Sequence, residues 1–251
     1  MTTILIELCI GAFVGLSLGL LGGGGAVLIV PSMVYLLNVD EHIALATALI
    51  IVGINALVGG VIAWRDGRTQ IRTALIFGAS GMVTAYIGAL ISRTIDGRIL
   101  LTVFSILLLI IAVLMYRGNA HLKQRDTPHS LWVIVAVGAG VGLITGTLGV
   151  GGGFVIVPSM VLLVGLPMRN AVGTSLLVIA MNSSASLIGH LDTPFDWTLI
   201  GVLLAGALPA MAISGRISAS INQDKLRKAF ALFITVVALF MLGENVVHFS
   251  Q

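Results

Sequence analysis

The sequence predicts an all-α integral membrane protein built from two inverted-topology repeats, each a glycine-broken helical hairpin followed by three transmembrane helices. Three observations lead there. Of 251 residues, 58% are hydrophobic and only 9% charged, with a mean hydropathy of +1.12, which leaves too little polar surface to cover a soluble globule of this size. The apolar runs are helix-length and separated by short charged turns, whereas a transmembrane barrel would alternate over segments of about ten residues. Finally, Gly22-Gly-Gly-Gly-Ala-Val-Leu-Ile-Val-Pro-Ser-Met-Val34 returns as Gly149-Val-Gly-Gly-Gly-Phe-Val-Ile-Val-Pro-Ser-Met-Val161.

That recurrence extends along the chain at a constant offset of 127 residues: Gly15 pairs with Gly142, Gly19 with Gly146, Thr47 with Thr174, Asn55 with Asn182 and Gly88 with Gly215. One duplication this long gives two domain-sized halves, not a solenoid. The expected division is a first repeat over 1–116, a cytoplasmic connector over 117–130 carrying His121, Lys123, Arg125 and Asp126, and a second repeat over 131–251.

Apolar segments run from about Ile4 to Leu21, Ala26 to Leu37, Ile43 to Ala63, Ile71 to Ile91 and Ile99 to Tyr116. The second half repeats them from Leu131 to Leu148, Phe154 to Val164, Ala171 to Gly189, Trp197 to Ile217 and Leu226 to Gly243. The segments opening at Ala26 and Phe154 are too short to span the roughly 30 Å hydrocarbon core at about 1.5 Å per residue. Counting hairpin arms separately gives about ten helical segments; merging them gives eight. The first run is not preceded by a basic residue and belongs to a repeat, so it is not read as a removable signal peptide.

Charge placement sets the expected orientation. The loop from Trp64 to Arg72 carries Arg65, Arg68 and Arg72, while its repeat-mate from Leu191 to Asp196 carries Asp192 and Asp196 and no basic residue. The positive-inside rule therefore puts the two loops on opposite sides, which requires an odd number of crossings per half and hence inverted repeats. Both termini are then expected on the outer face of the cell inner membrane.

A glycine run at membrane depth must be buried in protein or line a wet cavity, because an unpaired backbone group in lipid costs several kcal/mol. Each run also opens a short helix, whose free N–H groups and positive dipole end suit an anion without any charged side chain. Glycine-interrupted helices at matching places in two halves point to the binding site of a secondary transporter. The candidate substrate-binding residues are Gly24, Gly25 and Ala26 in the first half and Gly151, Gly152, Gly153 and Phe154 in the second. Thr47 and Asn55, eight residues apart and close to one helical face, are repeated by Thr174 and Asn182, with Ser175 beside them. These side chains supply neutral hydrogen-bonding groups suited to an oxyanion.

Other features read as structural. Pro31 and Pro158 free the carbonyls of Val27 and Phe154, to which Ser32 and Ser159 are the expected donors. Gly78, Gly81, Gly88, Gly201, Gly206 and Gly215 read as helix packing, and Cys9 as a small apolar helix residue. The full crossings carry no Asp, Glu, Lys or Arg away from their ends, so no buried proton relay is visible. His190, beside Asp192, is expected at the interface. The sequence from Gly149 to Gly153 shares only glycine content with a phosphate loop, since no Gly-Lys-Ser/Thr follows, and the five histidines lack zinc-protease spacing. Neither an enzyme, a cofactor, a metal nor a nucleic-acid partner is expected; the partners are a small anion and the bilayer.

With these residues in place, the chain resembles the TauE/SafE-type sulfite exporters. The likeness rests on Gly22-Gly-Gly-Gly-x5-Pro31, Gly149-x-Gly-Gly-Gly-x4-Pro158, the helix openings Ala44-x-x-Thr47 and Ala171-x-x-Thr174, and the duplicated plan. It implies a carrier moving sulfite, sulfoacetate or a related sulfonate across the inner membrane, usually by export. The alternative is an anion channel of the same fold.

Overall fold

The computed structural model describes residues 2–117, 130–148, 152–218 and 221–249. These form ten α-helices: α1 Thr2–Leu21, α2 Gly24–Pro31, α3 Glu41–Arg65, α4 Ile71–Ser92, α5 Gly97–Arg117, α6 Leu131–Leu148, α7 Gly153–Leu162, α8 Met168–Ile188, α9 Trp197–Ser218 and α10 Gln223–Phe249. A wider π-type turn, Ser32–Leu36, continues α2 beyond Pro31. Side chains cap the starts of three helices, and two of these, α3 and α5, begin before their apolar run. Asp40 accepts from the N–H groups of His42 and Ile43 at 2.9 and 3.3 Å, and Asp96 and Asp196 accept from Arg98 and Thr198, each at 2.9 Å.

Among the described residues, seven helices are long and apolar enough to cross a membrane: α1, α3, α4, α5, α6, α8 and α9. The chain is an integral membrane protein. The apolar stretches Val27–Leu36 and Gly153–Leu162 are short, as expected. The arms before them are longer than a partial entry requires, since α1 and α6 each offer 18 apolar residues, enough for a full crossing.

The most extensive contacts join α1 to α9, α4 to α6, α3 to α8, α4 to α8 and α5 to α10. Each pair takes one helix from either half; exchanging the halves maps α1–α9 onto α6–α4, but α4 packs on α8 more extensively than α9 packs on α3. The pairing at the centre is antiparallel: Gly53 abuts Ser183, Gly60 abuts Leu177, and Gly173 abuts Ala63, so α3 descends as α8 ascends. The flanking pairs are parallel. Gly11, Gly15 and Gly19 of α1 press on the backbone of α9 at Leu203, Ala207 and Met211; at the same offset, Gly138, Gly142 and Gly146 of α6 press on Phe77, Gly81 and Ala85 of α4.

Glycine every fourth residue forms one backbone-smooth stripe on a helix, and without a hydrophobic driving force between helices this close approach is what holds a membrane bundle. Of the glycines expected to pack, Gly78, Gly81, Gly88 and Gly206 do so and Gly215 lies buried with its backbone against Gly19, whereas Gly201 is exposed and meets open space. Ser32 and Ser159 make no hydrogen bond to the carbonyls freed by the prolines; the backbone widens into the π-type turn after Pro31 instead.

The charge argument about the loops holds in the geometry. Gln70, at the start of α4, donates its N–H to Thr174 Oγ1 at 3.0 Å near the beginning of α8. Arg93, at the other end of α4, pairs with Asp192 at 3.1 Å just beyond the end of α8. The basic and acidic loops therefore sit at opposite ends of the bundle.

The glycine stripes give a paired test. Gly142→Leu drives a side chain into the Gly81 backbone, and we expect the folded yield and thermal midpoint in detergent to fall by an overpacking cost of about 1–3 kcal/mol or more. Gly140→Leu, two residues away and facing open space, should leave both unchanged.

Candidate functional site

The two glycine turns meet. Gly22 takes φ +71° and Gly152 takes φ +74°, left-handed conformations that a Cβ disfavours, and each turn leads into a short helix. Gly23 packs directly on Gly153: a Cβ built on either would overlap the backbone of the other. Gly22, Gly23, Gly25, Gly152 and Gly153 are all buried. Gly22 lies against Val172 in the second turn of α8, and Gly153 against Ile179, midway along the same helix. The helix starts thus converge inside the bundle, in contact and with no space between them for a ligand in this state.

The side chains expected around the turns divide into three groups. Ser175 touches a turn directly, its hydroxyl shared between the Val172 carbonyl of its own helix at 2.8 Å and the Gly22 carbonyl at 3.2 Å. Thr174 instead accepts from Gln70 and fastens the basic loop, and Thr47 is buried on α3. Phe154 is buried and stacks edge-to-face on Phe104 at 4.9 Å, closing the hydrophobic side of the turn.

The asparagines form the third group. Asn55 is fully buried, with Nδ2 donating to the Ile51 carbonyl at 3.2 Å and Oδ1 unpartnered. Asn182 is also fully buried, and neither its amide oxygen nor its nitrogen has a partner; the side chain lies against Gly81 of α4. Beside it, Ser183 Oγ is buried without a partner and borders an apolar cavity of about 530 Å³ between α3, α4 and α8. Orphaned polar groups are rare in native interiors, and Asn182 and Ser183 place two such residues side by side on one helix.

Gly24 and Ala26 begin α2 within its first turn, whereas Gly151 lies outside the described residues. Gly23 was absent from the sequence-derived candidates, although it makes the central contact. The four-glycine run could not single it out, because which glycine of the four touches the other turn depends on how the halves dock. Arg68 was also missed, having been read as one of several loop cations; the fold buries it to 5% exposure.

At the opposite end of the bundle from Arg68, His190 is buried, and its Nδ1 lies 3.0 Å from the Ser186 carbonyl, which requires the Nδ1–H tautomer. Burial lowers its pKa from the ordinary 6.5, the Ser186 hydrogen bond raises it in part, and the nearby charges of Arg93 on α4 and His42 on α3 lower it further. Asp192, engaged by Arg93, completes this group. The histidine is thus held neutral.

Comparison with known proteins follows the same outline. The family model described as sulfite exporter TauE/SafE matches residues 7–241. A probable membrane transporter protein of Xylella fastidiosa is 31% identical over 97% of this chain and 96% of its own. Probable membrane transporter proteins of Bacillus subtilis, named YdhB, and of Methanocaldococcus jannaschii are 26% and 27% identical, covering 91% and 93% of this chain and 96% and 93% of theirs. No solved structure matches the chain.

The buried neutral histidine makes stability depend on pH. Its folded pKa lies below the unfolded 6.5, so the unfolded chain binds the extra proton first. The contribution is complete above that value and is lost as pH falls through the lowered folded pKa. The thermal midpoint of purified protein should drop between pH 7.5 and pH 5, and His190→Gln should flatten that part of the curve.

Proposed function

The chain belongs to the sulfite exporter TauE/SafE family of membrane transporters, and on that footing we propose that it is a secondary carrier of a small sulfur-containing anion such as sulfite or a sulfonate, working in export. The observation that carries this reading is the buried contact of Gly23 with Gly153. Two helix starts aimed into the interior offer free N–H groups and converging positive dipole ends, so an anion is attracted without a fixed charge in the crossings. Asn182 adds an amide group, and Asn55 an amide oxygen, without a partner in the resting fold.

The antiparallel passage of α3 and α8 supports inverted repeats, because equivalent helices crossing a membrane in opposite directions require a pseudo-two-fold axis in its plane. Each half then contributes a hairpin and three crossings, with both termini on the outer side. The moving bodies in this reading are not the sequence halves. Backbone-close packing locks α1 to α9 and α4 to α6, so these crossed pairs rock about α3 and α8, and their separation would open the Gly23–Gly153 contact to either side in turn.

The test uses purified protein in liposomes with sulfite, sulfate, thiosulfate and a sulfonate. Saturable flux with counter-transport is expected for sulfite or the sulfonate; linear high conductance would mark a channel instead. Asn182→Leu separates function from folding. Removing an orphaned amide should leave the thermal midpoint unchanged or raised, since an unsatisfied buried polar group costs about 1–3 kcal/mol, while flux falls at least about tenfold, as loss of one transition-state or ligand hydrogen bond predicts. Full flux in that variant would refute the site.

A further inference from the structure

Arg68 is the only arginine, lysine or acid that the fold buries among the described residues. It lies in the loop after α3, yet its side chain is 6% exposed, and with Gly19 of α1, Val172 and Leu176 of α8, and Met211 of α9 it borders a cavity of about 10 Å³. That is room for roughly one water molecule. Val172, in the same lining, also abuts Gly22 of the first glycine turn.

Its partnering is incomplete in a particular way. Nη2 donates to Asp66 Oδ2 at 2.6 Å, whereas Nε is buried without a partner. Nε–H and Nη2–H project from one edge of the guanidinium, the edge that grips an oxyanion through two parallel hydrogen bonds. Asp66 uses half of that edge, and its own side chain is 44% exposed. A buried cation costs several kcal/mol unless well paired, while an ion pair with a solvated partner contributes little. A purely structural bridge would bury both partners and fill both donors. This one leaves a donor open and a carboxylate able to swing into solvent.

We propose that Arg68 is an anion subsite at the basic end of the transport path, and that Asp66 is its resident counter-ion, displaced when an oxyanion arrives and restored when it leaves. The subsite belongs to one end only: the 127-residue offset sets Phe195 opposite Arg68, and among the described residues no other arginine or lysine is buried. This inference rests on the carrier reading above.

The test is equilibrium binding of sulfite, with sulfate for comparison, read from the ligand-dependent thermal shift of full-length protein. Arg68→Gln should raise the sulfite Kd about tenfold or more, the loss of a charge-assisted pair of hydrogen bonds. Asp66→Asn should lower it several-fold, because the competing carboxylate is gone. The opposite signs decide the matter, since a structural ion pair would be damaged alike from either side. Shifts in the same direction, or none, with wild type binding normally, would overturn the subsite and leave the carrier reading standing. If Arg68→Gln does not fold, Asp66→Asn decides alone: a lowered Kd supports the proposal and an unchanged or raised one rejects it. Wild-type protein that neither binds nor carries any anion of the panel would overturn both.

Discussion

Backbone polar groups in hydrocarbon have no water to turn to, and that constraint organises this molecule. A helix can satisfy itself, but a glycine turn cannot, so both turns must lie inside the protein with their amides and carbonyls facing other protein groups. The bundle achieves this by pressing the turns on each other, Gly23 against Gly153, and by holding the Gly22 carbonyl with the Ser175 hydroxyl. The contact requires the halves to interpenetrate. The glycine stripes of α1 and α6 make interpenetration feasible, because each brings a helix of one half onto the backbone of the other.

Much of this was legible in the chain itself. Hydrophobic run length located all ten helices, and the contrast of Arg65, Arg68 and Arg72 with Asp192 and Asp196 placed the two loops at opposite ends of the bundle. These are local or compositional signals that survive without knowledge of docking. What escaped was relational. Gly15 and Gly19 pair with Gly142 and Gly146 in the repeat alignment, but nothing in the sequence says that one set faces α9 and the other α4. The reading that gave packing roles to six glycines of α4 and α9 failed at Gly201, because a glycine's neighbour is decided by the helix opposite it. Two helix starts run ahead of the apolar segments for a simpler reason: Asp40 and Asp96 begin α3 and α5 by capping, and polar first turns carry no hydrophobic signal.

The candidate site was legible in kind more than in detail. Helix starts after glycine runs and the recurring Thr–Asn stripe were visible as patterns, and the structure gives the members of that stripe different tasks. Thr174 fastens a loop, Ser175 fastens a turn, and Asn182 is left with both amide atoms unpaired. The same spacing yields different outcomes because Thr174 faces the loop that follows α3, while Asn182, eight residues along α8, faces the glycine of another helix. Periodicity identifies a face; only packing identifies its neighbours.

Neutral coordination suits a carrier. A fixed cation at the centre of the path would hold an anion deeply and release it slowly, and a site used for passage must bind well enough to admit its cargo but loosely enough to let it go. In the proposed carrier, helix starts and amides provide shallow binding, and the space they need would open only as Gly23 and Gly153 part. The proposed Arg68 subsite would place full charge off this centre, toward the basic end of the bundle, with the half-exposed carboxylate of Asp66 as its counter-ion. Depth of binding is thereby separated from recognition of charge. The halves, alike in plan, differ at this point: an arginine stands where the second half has Phe195.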